Sequence, residues 1–386
     1  MEPYPIISLN GCLAGLLSSS TEFTEVSWVS GGRRVYMWLD KHTGVDVAGY
    51  VFGDVLRVRD AQVDLKKWLE KMPVVLGYTL EGLESYVKLL AEAVRDKLGG
   101  KRVVLSYSGG KDSSAALVIL DKLMEYLSFK LHVVYVHMPF LEPLDNVKFV
   151  ESVSRKLGLD IEVLSPPKKL VAEKLLEEGL PYRRARWCTY LKVRKVREAK
   201  KSLRADFEAY GDRLIEAKKR LRRLIKPALS KAFLSGKKFR PTFMLTLLDV
   251  VELCKQYGLV HPDYLKGLPR VSCSLCPYKA LHEFSITPGV EDPGFIEEVL
   301  RRSYAKWYEG KVDYDKFLEQ ELWRYTPTVA KMFCRAKEKL KEVEGEVVEA
   351  AKIHELYSSI WRGAPRGIPK LSLEDVIQVA KASVVS

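Results

Sequence analysis

Cysteine is scarce in this chain: six in 386 residues (Cys12, Cys188, Cys254, Cys273, Cys276 and Cys334), too few for a disulfide scaffold at this length. Long apolar runs are missing as well. No stretch approaches the ~18 residues that a membrane span needs, and the opening MEPYPIISLNGC lacks the basic start and cleavable apolar core of a secretory signal. There is no internal repeat and no low-complexity tract, which removes solenoids and largely disordered chains from consideration. These absences lead to the expectation of a cytoplasmic protein with reduced thiols and no membrane partner.

Acidic residues are also in deficit. Against 63 Lys plus Arg stand 50 Asp plus Glu, a formal net charge of +13. Between Lys192 and Arg240 there are 18 basic and 5 acidic side chains, so the remainder of the chain carries 45 of each. A neutral body with one cationic segment is not a histone-like protein. It calls for a localised anionic partner or a solvated helix.

What is present divides into five stretches. Residues 1–80 alternate apolar and polar residues in short pieces broken by Ser30-Gly31-Gly32, the pattern of a β-rich module. Residues 81–200 begin with helical spacing (Leu83, Tyr86, Val87, Leu90, Ala91, Val94) closed by Gly99-Gly100. Then come a short apolar strand (Arg102 to Tyr107), a Gly-rich turn and an apolar helix from Ser114. A second strand (Leu131 to His137), a helix (Asp145 to Leu157) and a third strand (Asp160 to Leu164) follow. Strands alternating with helices at this spacing predict an α/β fold with a parallel sheet and helices on both faces.

Residues 201–240 carry Leu203, Phe207, Tyr210, Leu214, Ala217, Leu221 and Leu224 at alternating spacings of four and three, the seam of a basic, heptad-patterned helical arm. A homodimer through this 203–224 seam is one way to cover the stripe. Residues 241–290 hold Cys254 and the Cys273-x-x-Cys276 pair, and 291–386 read as helices.

The strongest chemical signal is Ser108-Gly109-Gly110-Lys111-Asp112-Ser113, set between the first strand and its helix. Adjacent glycines let the backbone turn with no Cβ in the way, so that successive N–H groups point into one concavity at a helix N-terminus, where phosphate is favoured. Lys111 adds a full positive charge, Ser108 and Ser113 add hydroxyls, and Asp112 suits Mg²⁺ directly or through water. The spacing is not that of a Walker A loop.

This hexapeptide resembles the PP-loop of the ATP pyrophosphatase superfamily, matching its SGGxDS pattern in full. Val134-Tyr135-Val136-His137-Met138 and Arg186-Trp187-Cys188-Thr189 with Leu191-Lys192 look like the phosphoadenylyl sulfate (PAPS) reductase-like branch. The resemblance implies a Rossmann-like, adenine nucleotide alpha hydrolase-like fold. It also implies that ATP is bound by Ser108, Gly109, Gly110, Lys111, Asp112 and Ser113 and is cleaved to AMP and pyrophosphate. Lys111, Asp112 and Arg186 are the expected catalytic residues.

Reductases of this branch have a degenerate loop and a C-terminal Cys-Gly motif. Here the loop is intact and no cysteine follows Cys334. That favours an ATP-consuming member that adenylates an acceptor for sulfur transfer, with RNA preferred and a sulfur donor protein as a further partner. PAPS reduction or another small-molecule adenylyl transfer is the alternative, and a non-catalytic nucleotide-binding protein a third.

Cys273-x-x-Cys276-Pro277 places two thiolates on one turn, and Cys188 and Cys254 are the candidates to complete a metal site. Four thiolates suit a 4Fe-4S cluster and equally a structural Zn²⁺; the resemblance favours the cluster. The basic region 183–240 is read as a tRNA surface, with Tyr210, Phe239 and Trp187 for stacking, or as a solvated coiled-coil arm.

Overall fold

A computed structural model of the chain describes the strand backbones within residues 6–64, then residues 78–183, 185–214, 216, 218–279 and 281–331, and finally 334, 354, 358, 360–363 and 370–385. The helix expected over 328–351, like Ala217 of the expected seam, lies almost wholly outside the described residues. In the first 64 residues, Ile6–Leu9 pairs with Cys12–Leu16, Glu25–Ser30 with Arg33–Trp38, and Tyr50–Phe52, Val55–Val58 and Ala61–Asp64 pair in succession, all antiparallel.

The main sheet has six strands: β1 (Arg102–Tyr107), β2 (Lys130–Val136), β3 (Ile161–Leu164), β4 (Phe207–Ala209), β5 (Leu234–Ser235) and β6 (Lys238–Phe239). Their order is β3-β2-β1-β4-β6-β5, parallel except for the closing β5–β6 pair. Helix α1 (Leu83–Leu98) precedes the sheet. Helices α2 (Lys111–Leu123), α3 (Leu144–Leu157), α4 (Lys168–Glu178), α5 (Trp187–Ser202), α6 (Lys218–Leu229), α7 (Leu247–Gln256) and the short α8 (Pro262–Lys266) connect and flank its strands.

Strand periodicity explains why both faces are covered. Val103 and Leu105 of β1 and Val133 and Tyr135 of β2 join a core with α1, α2 and α3. The intervening Val104 and Val134 meet Ala199 of α5 on the opposite face. All six side chains are essentially removed from water, and full burial of an aliphatic chain contributes roughly 1.5–3 kcal/mol. A parallel sheet buried on both faces reads as continuous apolar runs, as β1 and β2 do.

The helical arm expected over 201–240 does not form. Helix α5 ends at Ser202, Arg204 takes a left-handed backbone (φ 49°), and Phe207–Ala209 becomes β4, parallel to β1. Asp206 draws the chain onto the sheet: its backbone N–H donates to the Arg102 carbonyl (2.9 Å) and its carboxylate accepts from the Arg102 N–H (2.8 Å). The supposed seam residues Leu214, Leu221 and Leu224 are at most 1% exposed and pack in the main core beside Phe207. Leu203 packs on the opposite face of the sheet. Among the described residues the apolar stripe is satisfied within one chain, and the α/β sheet runs on past residue 200 to Phe239.

A second core joins α4 and α5 to the helix Pro293–Ser303, the turn Tyr304–Tyr308 and the helix Tyr314–Glu319. Asp292 and Asp313 cap the two helices by accepting from Phe295 N (3.0 Å) and Lys316 N (3.1 Å). No helix among the described residues is long and apolar enough to cross a membrane.

Candidate functional site

Strand order reverses between β1 and β4, with β2 on one side of β1 and β4 on the other. In open α/β sheets, ligands bind outside the carboxyl ends of the strands at such a switch point. The loop Ser108–Gly110 leaves β1 there, and Tyr210–Arg213 leaves β4 beside it.

The loop is held by its own side chains. Ser113 Oγ accepts from Ser108 N (3.2 Å), donates to the Gly110 carbonyl (2.9 Å) and lies 3.0 Å from Ser108 Oγ. Gly109 has φ +72°, a left-handed backbone that side chains disfavour. Gly211 is required for another reason. A Cβ there would lie 2.5 Å from the Asp112 carbonyl oxygen, so β4 reaches the loop only without a side chain.

Lys111 is 3% exposed, with Nζ 3.3 Å from Asp112 Oδ2, and its backbone N–H donates to the Tyr264 hydroxyl (2.9 Å). Arg213 Nε donates to Asp112 Oδ1. Burial works against ionisation of Asp112, but Arg213 and Lys111 outweigh it and hold the carboxyl below the usual range. The Arg213 side chain is fully buried, and among the described residues its two terminal nitrogens have no hydrogen-bond partner. Two buried, unsatisfied N–H groups beside an anion-binding loop constitute a fork prepared for phosphate or carboxylate oxygens.

The cysteines separate into two places. Cys188, in the first turn of α5, and Cys273 and Cys276 are half-buried and share one region. Burial raises the Cys188 thiol and Cys276 adds to it, while Lys192 and Arg186 pull it down; burial also raises Cys273, opposed by Lys192. Arg270 Nη2 donates to Cys276 Sγ (3.3 Å). Behind them Lys192 pairs with Glu142 (2.7 Å), a 3% exposed carboxylate that also accepts from Tyr135, Asn146 Nδ2 and Met138 N.

The Cys273–Pro277 turn is tied down by Arg183, whose Nε donates to the Pro277 carbonyl (2.8 Å). Arg186 is exposed, with its guanidinium 4.8 Å over the Tyr278 ring. It flanks the thiols, and no contact ties it to the phosphate loop.

Cys254 is not with the other thiols. It is buried in α7, and its Sγ donates to the Lys111 carbonyl (3.4 Å), so it packs behind the phosphate loop and burial raises its thiol. Its place as a small apolar side chain on a core-facing helix accounts for this. Among the described residues no group of three His, Cys, Asp or Glu side chains could hold a single metal ion. The Cys188, Cys273 and Cys276 thiols lie near enough that Cys276 raises the pKa of both others, and they are bordered by the cations Lys192, Arg186 and Arg270.

The loop and the neighbouring thiols Cys188, Cys273 and Cys276 stand out in the sequence; Gly211, Arg213, Tyr264 and the Glu142–Lys192 pair do not. A signal for the first two was present: Gly211-Asp212-Arg213 follows the short apolar piece Phe207–Ala209. Reading that piece as a helix seam concealed it.

Residues 102–279 match the family model described as "Phosphoadenosine phosphosulfate reductase domain". No curated protein sequence matches the chain. Among solved structures, the chain is similar to the U34-tRNA thiolase NcsA from Methanococcus maripaludis with its 4Fe-4S cluster. Identity there is 17%, covering 68% of this chain and 82% of that one, with a TM-score of 0.35. It is also similar to the NH3-dependent NAD synthetase from Campylobacter jejuni subsp. jejuni NCTC 11168 in complex with the nitrate ion, at 14% identity over 69% of this chain and 97% of that one, with a TM-score of 0.33. The segment 102–279 that resembles this domain carries the phosphate loop at the switch point of its sheet.

Proposed function

We propose that this domain binds ATP at Ser108–Ser113 and cleaves it between the α and β phosphates, leaving AMP on a carbonyl oxygen of an RNA base that then receives sulfur. In the first step the acceptor oxygen attacks the α phosphorus, the bond to the β-phosphate oxygen breaks, and pyrophosphate leaves. In the second, a sulfur nucleophile attacks the activated carbon and the C–O bond to AMP breaks. Phosphoryl chemistry of this kind depends on positioning and charge neutralisation. Here the loop N–H groups and Lys111 face the departing pyrophosphate, Asp112 suits Mg²⁺, and the buried Arg213 guanidinium adds positive charge behind Asp112.

The observation that carries this reading is the buried Arg213 guanidinium with both terminal nitrogens unpartnered beside the loop. Cys188, Cys273 and Cys276 would hold a 4Fe-4S cluster, which would supply Lewis-acid binding of the sulfur donor. The residues around it keep their own roles: Lys192 balances negative charge, and Arg183 and Arg324 fix the turn through the Pro277 and Lys279 carbonyls.

RNA as acceptor is supported by exposed cations on α5 and α6, among them Arg197, Lys201, Arg222 and Lys226. Arg220 and Arg223 are engaged instead by Asp212 and Glu216. The description of the matched domain supports a second reading, PAPS reduction. The experiment is pyrophosphate release from ATP, Mg²⁺ and bulk tRNA. RNA-stimulated release that Asp112→Ala abolishes is expected; sulfite from PAPS and a thiol reductant, with ATP untouched, favours the second reading.

A further inference from the structure

Beside the thiol site, and sharing no residue with the phosphate loop, is a cavity of about 300 Å³ walled by Tyr182, Trp187, Trp307, Tyr308 and Trp323. Three of the chain's seven tryptophans meet there. Two of its walls are set by unusual backbone. Gly179 has φ +72°, and a Cβ on it would lie 2.5 Å from Ser303 Oγ and 2.9 Å from the Trp307 ring, so the α4 terminus approaches this far only as glycine. Trp187 Nε1 donates to the Gly179 carbonyl (3.1 Å), which fixes the indole plane. Trp307 lies on the non-α turn Tyr304–Tyr308 and is half-buried.

We infer that this cavity is a second binding site, which receives a single unstacked nucleobase. Its volume is at the small end of ligand pockets, roughly 300–1,000 Å³, and matches one planar heterocycle rather than a folded peptide. Aromatic rings set around such a space stack on any base. Aromatic walls also suit organic cations, and charge decides between the two. Lys306 Nζ already sits 4.7 Å over the Trp307 ring, where an organic cation would stack, and donates to the Glu177 carbonyl; of the two rim carboxylates, Glu178 is paired with Lys174 and Glu177 is exposed. Lysine at the aromatic wall repels a cation and attracts the phosphates that flank a base. Ser303 Oγ and Thr326 Oγ1 line the cavity as hydroxyl partners for base edges.

Trp187 immediately precedes Cys188, so a base held there lies at the rim of the thiol region. The inference goes beyond the proposed reaction: the site can be filled without ATP, and its test contains none.

Tryptophan fluorescence of the full chain is titrated with a short single-stranded ribo-oligonucleotide, its twin with one central abasic site, uridine alone, and choline. Two sources offer such a base, an RNA strand and a free nucleoside. Quenching by the oligonucleotide that weakens about tenfold in the abasic twin assigns the first source, and saturable quenching by uridine assigns the second. Trp307→Ala should weaken either by tenfold or more, with Trp307→Phe within about threefold of the native protein. Equal binding of the oligonucleotide and its abasic twin with no effect of uridine overturns the inference, as does tighter quenching by choline. The abasic and choline arms use native protein, so the outcome does not depend on a variant folding.

Discussion

Arg213 and Asp112 lie 101 residues apart in the chain and meet at the mouth of the sheet, Arg213 Nε donating to Asp112 Oδ1 while both terminal nitrogens of Arg213 stay buried and unpartnered. The pairing follows from topology. Asp112 opens the helix after β1 and Arg213 follows β4, adjacent parallel strands that end on the same edge. A buried guanidinium with one of three nitrogens satisfied leaves the desolvation of the other two uncompensated. An oxyanion removes that deficit.

Arg213→Met is therefore expected to abolish stabilisation by pyrophosphate. In thermal melts, millimolar pyrophosphate with Mg²⁺ should raise the midpoint of the native protein and leave the variant unchanged, and ATP cleavage should fall about 100-fold, the scale for removing one preorganised charge-stabilising donor. Arg213→Lys, which keeps charge but not the fork, should lie between. An equal midpoint shift in the Met variant contradicts the assignment.

Stability between pH 4 and 6.5 should report on His261. This 2% exposed imidazole accepts from the Asp263 N–H through Nδ1, and burial, with Lys266 assisting, pushes its pKa down to about 4. In that window the unfolded chain binds a proton that the folded chain does not, so stability rises with pH. His261 contributes on the order of 3 kcal/mol, present above pH 6.5 and lost as pH falls to 4. Urea denaturation of native protein and His261→Asn, which keeps a capping side chain, should give curves that diverge across this window. Parallel curves contradict the assignment.

The thiols make opposite predictions. Alanine at Cys188, Cys273 or Cys276 should lower iron content and the visible absorbance of anaerobically purified protein, while Cys254→Ala should keep both. Stoichiometric zinc without iron in the native protein contradicts the cluster, and iron loss on Cys254→Ala restores Cys254 as a ligand.

Charge reversal at Arg197, Lys201, Arg222 and Lys226 should weaken tRNA binding at least tenfold and flatten its salt dependence, since each phosphate contact adds about 0.7–0.9 to the slope of log K against log salt. Unchanged affinity means that these cations are only solvated surface.

Much of this was legible in the sequence, and the failures share a cause. Strand β1, the glycine turn and α2 were readable because their hydrophobic pattern, turn chemistry and length agree locally. Strand β4 was not. Its three residues, Phe207–Ala209, are too short for period two to show, and neighbouring apolar residues fall by chance on a heptad spacing that tertiary packing overrides. Cys273 and Cys276 form a local Cys-x-x-Cys signal, whereas the approach of Cys188 to them is a tertiary contact. Excluding Cys254 needed the third dimension, since nothing in Val250-Val251-Glu252-Leu253-Cys254 says that its thiol faces the Lys111 carbonyl.

Cleavage between the α and β phosphates is the step on which the proposed reaction rests. ATP labelled at the α phosphorus, incubated with the protein, Mg²⁺ and tRNA, should place its label in AMP with an equal amount of pyrophosphate released, and Asp112→Ala should yield neither. Label appearing in ADP with release of inorganic phosphate, or unchanged ATP in the presence of every acceptor, contradicts it.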